Sequence, residues 1–251
     1  MNLQTKSLQF TRLGSGLAAL AVLAGCASDP AANPKDPFEA TNRRVSAFND
    51  QVDTNLVRPV AVTYKNNVPD PLQQGVTNFF GNLKDIWSTA NNGLQGKPME
   101  AAETGLRVAV NSVFGVFGLF DVATWAGIQR RSADFGQTLG IWGVPSGPYM
   151  VLPLFGPSNV RDTVGWAVDN NYDLWYGVEP LGLKYTGTAL RLVDKRTSLL
   201  GLDKSLNEVA LDKYSFIRDA YFQRRQAAIQ GKNESKGNDG DDDYDNGGNV
   251  Q

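Results

Sequence analysis

Phe135–Val160 reads FGQTLGIWGVPSGPYMVLPLFGPSNV and contains no charged residue. Gly136, Gly140, Gly143, Pro145, Gly147, Pro148, Pro153, Gly156 and Pro157 punctuate the run. Proline has no amide hydrogen and clashes with the preceding turn, so no single straight helix passes through this many of them. A loop in water is seldom so apolar, because irregular backbone relies on solvent for its polar groups. The stretch therefore predicts two half-helices, or extended pieces bent back on themselves, apolar enough to enter a membrane. Broken backbone at membrane depth has to be covered by protein or to line a cavity. A buried irregular core segment is the competing reading. Gly136–Gly140 and Gly143–Gly147 both fit G-x-x-x-G, but Pro145 inside the second speaks against a helix-pairing motif. Gly143, Pro145 and Gly147 are instead hinge candidates.

Immediately upstream, a second uncharged stretch, VAVNSVFGVFGLF, lies between Arg107 and Asp121. It is shorter than the roughly 20 residues that cross a bilayer as a helix. It suits a buried core helix, or partial insertion. Phe114, Phe117, Phe120, Trp142, Tyr149 and Leu152 are the membrane-embedded candidates of the two stretches. Helical spacing surrounds them. Residues 37–57 carry Phe38, Val45, Phe48 and Val52 on one face, with Asp36 as a possible cap and Pro37 in the first turn. Arg58-Pro59 is expected to end or kink that helix, and a short one over 60–67 stops at Pro69 and Pro71. Residues 72–92 repeat the helical period through Val76, Phe79, Phe80, Leu83, Ile86 and Trp87. Glu100–Ser112 follows. Trp166, Tyr172, Trp175 and Tyr176 suit a membrane interface or an ordinary core equally. Residues 182–200 are amphipathic, and 203–230 read as a helix pair with a break near 211–215. No alternating strand pattern of convincing length occurs. The fold class is mostly α, built of many short helices.

The amino terminus adds the membrane. Lys6 and Arg12 precede an apolar run from Leu13 to Ala24, which ends in Leu23-Ala24-Gly25-Cys26. That is an export leader, too short to span a bilayer. It closes in a lipobox around the only cysteine. Residues 1–25 are read as a lipoprotein signal peptide and Cys26 as the lipidated residue, carrying the only covalent group expected. By comparison with bacterial lipoproteins, Ala27 and Ser28 rather than an Asp after the cysteine imply passage to the outer membrane. Residues 26–36 form a flexible tether, 37–230 the folded domain, and 231–251 an acidic tail too poor in apolar residues to order itself.

Composition removes most chemistry. There is no histidine, and the one cysteine is committed to lipid. The commonest general base and zinc ligand are thus missing. Asp241, Asp243 and Asp245 space like a calcium loop but lack its glycine and closing glutamate. No metal and no cofactor beyond the lipid are expected, and no enzyme. The formal net charge is −2, and loss of Lys6 and Arg12 with the leader makes it −4, which disfavours nucleic acid as a partner.

Short motifs in fixed order then resemble a known family. They are the lipobox at Cys26, Asp36-Pro37-Phe38-Glu39 with Asn42-Arg43, Phe48-Asn49, Val57-Arg58-Pro59-Val60-Ala61-Val62, Val68-Pro69, Asn78-Phe79 and Gly81-Asn82-Leu83. Phe135–Gly140, Gly143-Val144, Gly147-Pro148-Tyr149, Leu152-Pro153, Arg161-Asp162 and Arg218–Arg224 continue the series. The chain resembles the MlaA/VacJ family of outer-membrane lipoproteins over nearly all of the mature domain to about Gln230. Thr41 departs from it, since the family commonly has Phe there. The resemblance implies a ring-like assembly of short helices in the inner leaflet of the outer membrane, with an apolar helical hairpin embedded in it. It implies association with a trimeric porin, for which the membrane-embedded candidates named above are the alternative contact candidates. It implies passage of mislocalised outer-leaflet phospholipid to a periplasmic lipid-carrier protein, and a gating role for Phe48 and Asn49. A structural porin-associated lipoprotein without transport activity is the alternative.

Overall fold

The computed structural model describes residues 33–203 and 211–231. The leader, Cys26, most of the tether and nearly all of the acidic tail lie outside the described residues. Helix α1 (Glu39–Val52) runs through a wide π turn (Asp53–Val57) into α2 (Arg58–Asn67) without interruption. Of the expected end or kink at Arg58-Pro59, the helix shows no end, and its winding changes in the π turn just before it. Pro59 follows directly on the π turn, and the wider winding there takes up its ring and its missing amide hydrogen. Asp36 does not cap α1 with its side chain. Its carbonyl accepts from the Glu39 amide at 3.2 Å, while its carboxylate is fully buried.

Helix α3 (Asp70–Leu94) starts with Pro71 in its first turn, and α4 (Pro98–Val113) packs along it. The uncharged stretch is helical only to Val113. Residues 114–120 form turns, with Val116 and Phe117 at φ of 51° and 58°. Such left-handed backbone strains residues that have a Cβ. Helix α5 (Val122–Trp125) and helix α6 (Phe135–Ile141) are capped by the Asp121 and Asp134 side chains, which accept from the amides of Thr124 and Gln137.

The second half of the opening stretch is not helical. Strands β1 (Tyr149–Leu152) and β2 (Gly156–Asn159) form an antiparallel ribbon, with Tyr149 opposite Asn159 and Leu152 opposite Gly156. The expected helical hairpin is here a β-hairpin. Pro157 lies on β2, an edge strand where its missing donor is tolerated. Then follow α7 (Val160–Tyr172), a 3₁₀ turn (Leu174–Gly177), α8 (Leu181–Thr197) and α9 (Lys213–Ile229), the last capped by Asp212. Helix α8 packs on α2 and α3, α7 on α6, and α9 on α6 and β2. A small aromatic core of Tyr149, Val151, Tyr214 and Tyr221, flanked by Val45 and Phe222, joins hairpin to α9.

Candidate functional site

The α3–α4 pair is built inside out. Asn82, Asp85, Ser88, Asn91 and Asn92 of α3 are buried, as are Thr104, Arg107 and Asn111 of α4. Their spacing of three and four residues puts each set on one helical face. Among the described residues, buried polar side chains outnumber buried apolar ones, the reverse of a water-soluble core. These groups bond to one another and to the segment leading into α6. Ser88 Oγ donates to the Ala133 carbonyl at 2.9 Å and Asn92 Nδ2 to the Arg131 carbonyl at 2.8 Å. Gln95 Nε2 reaches Thr138 Oγ1 at 3.1 Å, and that hydroxyl donates to Asn91 Oδ1 at 2.8 Å.

Arg107, 1% exposed, is the centre of the charge network. Its Nη2 contacts both Asp121 carboxylate oxygens, at 2.9 and 2.7 Å, and its Nη1 donates to Thr124 Oγ1 at 3.0 Å and to the Ile128 carbonyl. Asn111 Nδ2 adds a bond to Asp121 at 3.0 Å. Burial would raise the Asp121 carboxyl, but bonds from Thr124, Asn111 and Arg107 outweigh it and hold the group below its ordinary range. Asp85 goes the other way. Burial pushes its pKa up despite Arg130, whose Nε donates to Oδ1 at 2.9 Å. Asp85 Oδ2 and Arg107 Nε face each other at 3.9 Å, and neither has a hydrogen-bond partner. The sequence reading missed this network, although Arg107 and Asp121 are the two charges that bound the uncharged stretch.

The apolar side chains face outward. Phe114 is 72% exposed, Phe117 78% and Trp125 78%, and Val113, Val116, Leu119 and Phe120 are also exposed. Leu72, Met99 and Leu106 extend this rim along α3 and α4. Of the two readings of this stretch, core helix or partial insertion, the first does not hold for these apolar side chains, which are exposed because the polar face of α4 takes the interior. Trp142 is exposed too, its Nε1 bonded to the Leu94 carbonyl at 3.0 Å. Tyr149 is not at any surface. It is 1% exposed within the α9–hairpin core, so as a lipid or porin contact it is corrected to a core residue. Leu152 is half-buried. The hairpin tip instead presents Leu154 and Phe155, which sequence reasoning did not single out.

Two asparagines on one face of α1 hold the hairpin. Asn42 Nδ2 donates to the Tyr149 carbonyl at 3.1 Å while Asn42 Oδ1 accepts from the Val151 amide at 2.9 Å. Seven residues on, Asn49 Nδ2 donates to the Leu152 carbonyl at 3.0 Å and Oδ1 accepts from the Leu154 amide at 2.7 Å. Each side-chain amide does for β1 what a third strand would do, and so covers its open edge. Asp36 adds a second tie, taking bonds from Asn42 Nδ2 at 2.8 Å and Tyr214 OH at 2.5 Å. Phe48 stands beside Asn49, half exposed. Gly143, Pro145 and Gly147 lie together on the connection from α6 to β1, with the glycines at φ of 90° and 68°, a conformation glycine adopts without strain.

Residues 34–228 match the family model described as MlaA lipoprotein. A protein of Escherichia coli (strain K12), the intermembrane phospholipid transport system lipoprotein MlaA, is 36% identical over 228 residues, covering 88% of this chain and 89% of that one. The protein of the same name from Haemophilus influenzae is 33% identical over 230 residues, covering 87% and 90%. An uncharacterized protein of Rickettsia bellii is 35% identical over 202 residues, covering 78% and 77%. A solved structure described as "Structural basis for maintenance of bacterial outer membrane lipid asymmetry" aligns with a TM-score of 0.68 at 35% identity, covering 77% of this chain and 98% of that chain.

Proposed function

The chain belongs to the MlaA lipoprotein family, and on that premise we propose that it is an outer-membrane lipoprotein that removes mislocalised phospholipid from the outer leaflet and passes it to a periplasmic carrier. It thereby maintains outer-membrane lipid asymmetry. The single observation that carries this reading is the inverted α3–α4 pair with the turns and short helix that follow it: polar side chains inside the pair, and Phe114, Phe117, Phe120 and Trp125 exposed beyond it. A phospholipid has a charged head and apolar tails, and water-excluding surroundings make an unaccompanied charge costly. A helical assembly that is polar within and apolar without lets a headgroup cross while the tails stay in contact with membrane. Lipid moves and no bond is made or broken, so the protein acts as a conduit and not as an enzyme.

In this reading Cys26 carries the acyl anchor, and the rim of Phe114, Phe117, Phe120 and Trp125 lies in the inner leaflet. No described helix is long and apolar enough to cross a membrane, which is consistent with partial immersion. The rim also supplies the face for a trimeric porin. The β-hairpin moves about Gly143, Pro145 and Gly147, and the Asn42 and Asn49 clasps hold it in its present position, with Phe48 beside the second clasp.

The test is outer-leaflet phospholipid in cells lacking the gene, complemented with the wild type or with Asn49→Ala. Loss of the gene raises surface phospholipid and the wild type clears it. Asn49→Ala removes both bonds to the hairpin, worth about 1–3 kcal/mol together, and changes the steady level of surface lipid in either direction. Surface phospholipid that is unaffected by loss of the gene would overturn the conduit. The structural porin-associated role would then stand, since the exposed rim supports that function without transport.

A further inference from the structure

We propose that the Arg130 guanidinium is a binding fork for the phosphodiester of a phospholipid headgroup, held beside the apolar turns of residues 114–120. Arg130 lies on the segment between α5 and α6. Its Nε donates to Asp85 Oδ1 at 2.9 Å, and Asp85 is 1% exposed. The Arg130 side chain itself is 38% exposed. A buried anion thus fixes one side of the guanidinium, and the rest reaches solvent. Among the described residues its Nη1 and Nη2 make no hydrogen bond. Those two groups carry four of the five N–H donors, in a planar array that matches two oxygens of a phosphate.

Gly81 sets where the fork lies. It precedes Asp85 by one turn of α3 and shares its face. A Cβ at 81 would lie 2.8 Å from Arg130 Nη1 and closer still to Nη2, so the guanidinium rests on bare helix backbone. Glycine weakens the middle of a helix, and here its missing side chain is the room the fork occupies. The apolar turns lie on neighbouring residues of the same helix. Asn78 Nδ2 donates to the Leu119 carbonyl at 3.2 Å, and a Cβ at Gly118 would come within 2.7 Å of Asn82 Nδ2. Phe114 and Phe117 stand exposed on those turns. A phosphate on the fork is therefore placed beside a surface that acyl chains can cover. The other carboxylates of the network are engaged: Asp121 with Arg107 at 2.7 Å, and Glu103 with Arg131 at 3.2 Å. Arg107, on the far side of Asp85 at 3.9 Å, is 1% exposed and closed to a ligand.

The proposal rests on the conduit reading and names the group by which the conduit takes hold of its cargo. The test uses the full lipoprotein in neutral detergent. Calorimetry compares dihexanoyl phosphatidylethanolamine with dihexanoylglycerol, which has the same chains and no phosphate. Neither lipid carries net charge, so a gap between them reports contact with the phosphodiester. The wild type is expected to hold the phospholipid about tenfold more tightly. Arg130→Gln removes the gap. Gly81→Ala removes it as well, because the new methyl group displaces the flexible end of Arg130, while the helical dichroism stays intact. Where Arg130→Gln does not fold, Gly81→Ala decides. Arg131→Gln makes the same change of charge on the neighbouring residue and leaves the gap in place. Equal binding of the two lipids by the wild type, or a gap that survives either fork variant, overturns the fork. Displacement by inorganic phosphate at equal concentration overturns the lipid assignment in favour of free phosphate. Surface-lipid clearance in cells separates the fork from the conduit. Clearance without a phosphate gap leaves the conduit and removes the fork, whereas a gap without clearance does the reverse.

Discussion

Gly187 lies in the middle of α8, a place where glycine costs about 1 kcal/mol against alanine by helix propensity. From sequence alone, Gly187→Ala is a stabilising change. The structure reverses the sign. A Cβ at 187 would lie 1.9 Å from Trp175 Cζ2 and 2.7 Å from its Cε2. The indole cannot step aside, because it is buried against Phe79 and Phe80, with ring centroids 6.1 and 5.1 Å away, and its Nε1 is bonded to the Lys184 carbonyl at 3.1 Å. Overpacking of this kind costs about 1–3 kcal/mol, more than the propensity gain. Gly187→Ala should lower the melting temperature and disturb the near-ultraviolet dichroism of Trp175. A raised melting temperature would show that the indole does not occupy this site. The sequence offered Trp175 as core or interface with equal weight. What decided between them was the absence of a side chain on another element, which no local pattern announces.

At the scale of elements, the ends of α6, α7 and α9 are joined by one carboxylate. Asp162 Oδ2 accepts from Arg225 Nε at 2.7 Å, from Asn159 Nδ2 at 2.8 Å and from Tyr221 OH, while Oδ1 accepts from Arg161 Nε at 2.9 Å. Arg225 also bonds Asp134, the cap of α6, at 2.6 and 2.9 Å. Burial alone would raise the Asp162 carboxyl, but the Arg225 bond and charge, the Tyr221 hydroxyl and the Arg161 charge prevail and hold it below its ordinary value. A folded pKa below the unfolded one means stability that is present above the unfolded value, about 3.9, and lost as pH falls through the folded one. Asp162→Asn should therefore flatten the acid limb of a plot of urea midpoint against pH. At neutral pH it should cost about 3–5 kcal/mol, since it leaves buried cations uncompensated. An unchanged acid limb would refute the clasp. Arg161-Asp162 was visible as a motif, but its chemistry was not, because the partner arginine lies 63 residues downstream. The hairpin was hidden for a related reason. YMVL reads as a short apolar run and GPSN as a turn, and the edge of β1 is satisfied by the side chains of Asn42 and Asn49 rather than by a third strand. The helices themselves were legible, α3 almost to its ends, because their prolines and periodic faces are local signals.

For the whole molecule, periodicity shows that a helix has two faces but not which medium each one meets. The uncharged stretch upstream of Asp121 suits a core helix or partial insertion equally by its local pattern, with Phe114, Phe117 and Phe120 as the candidates for insertion. In the folded chain α4 directs Thr104, Arg107 and Asn111 inward, and the turns after it leave Phe114, Phe117 and Phe120 at the surface. The lipid anchor and the rim then make separable contributions to membrane binding. Each buried methylene of an acyl chain contributes about 0.8 kcal/mol, and burial of one phenylalanine about 1.5–3 kcal/mol. The comparison is purified protein in which Cys26→Ser is exported behind an exchanged leader, floated with vesicles of phosphatidylethanolamine and phosphatidylglycerol, so that no porin takes part. This unlipidated protein should still float with the vesicles, and high salt should not release it. Adding Phe114→Ser, Phe117→Ser and Phe120→Ser should leave the helical dichroism intact, because none of the three supports the interior network, and should shift the protein to the unbound fraction. If the rim variant floats as well as its parent, a surface other than these phenylalanines holds the unlipidated protein on the vesicle, and the rim is a face for a protein partner.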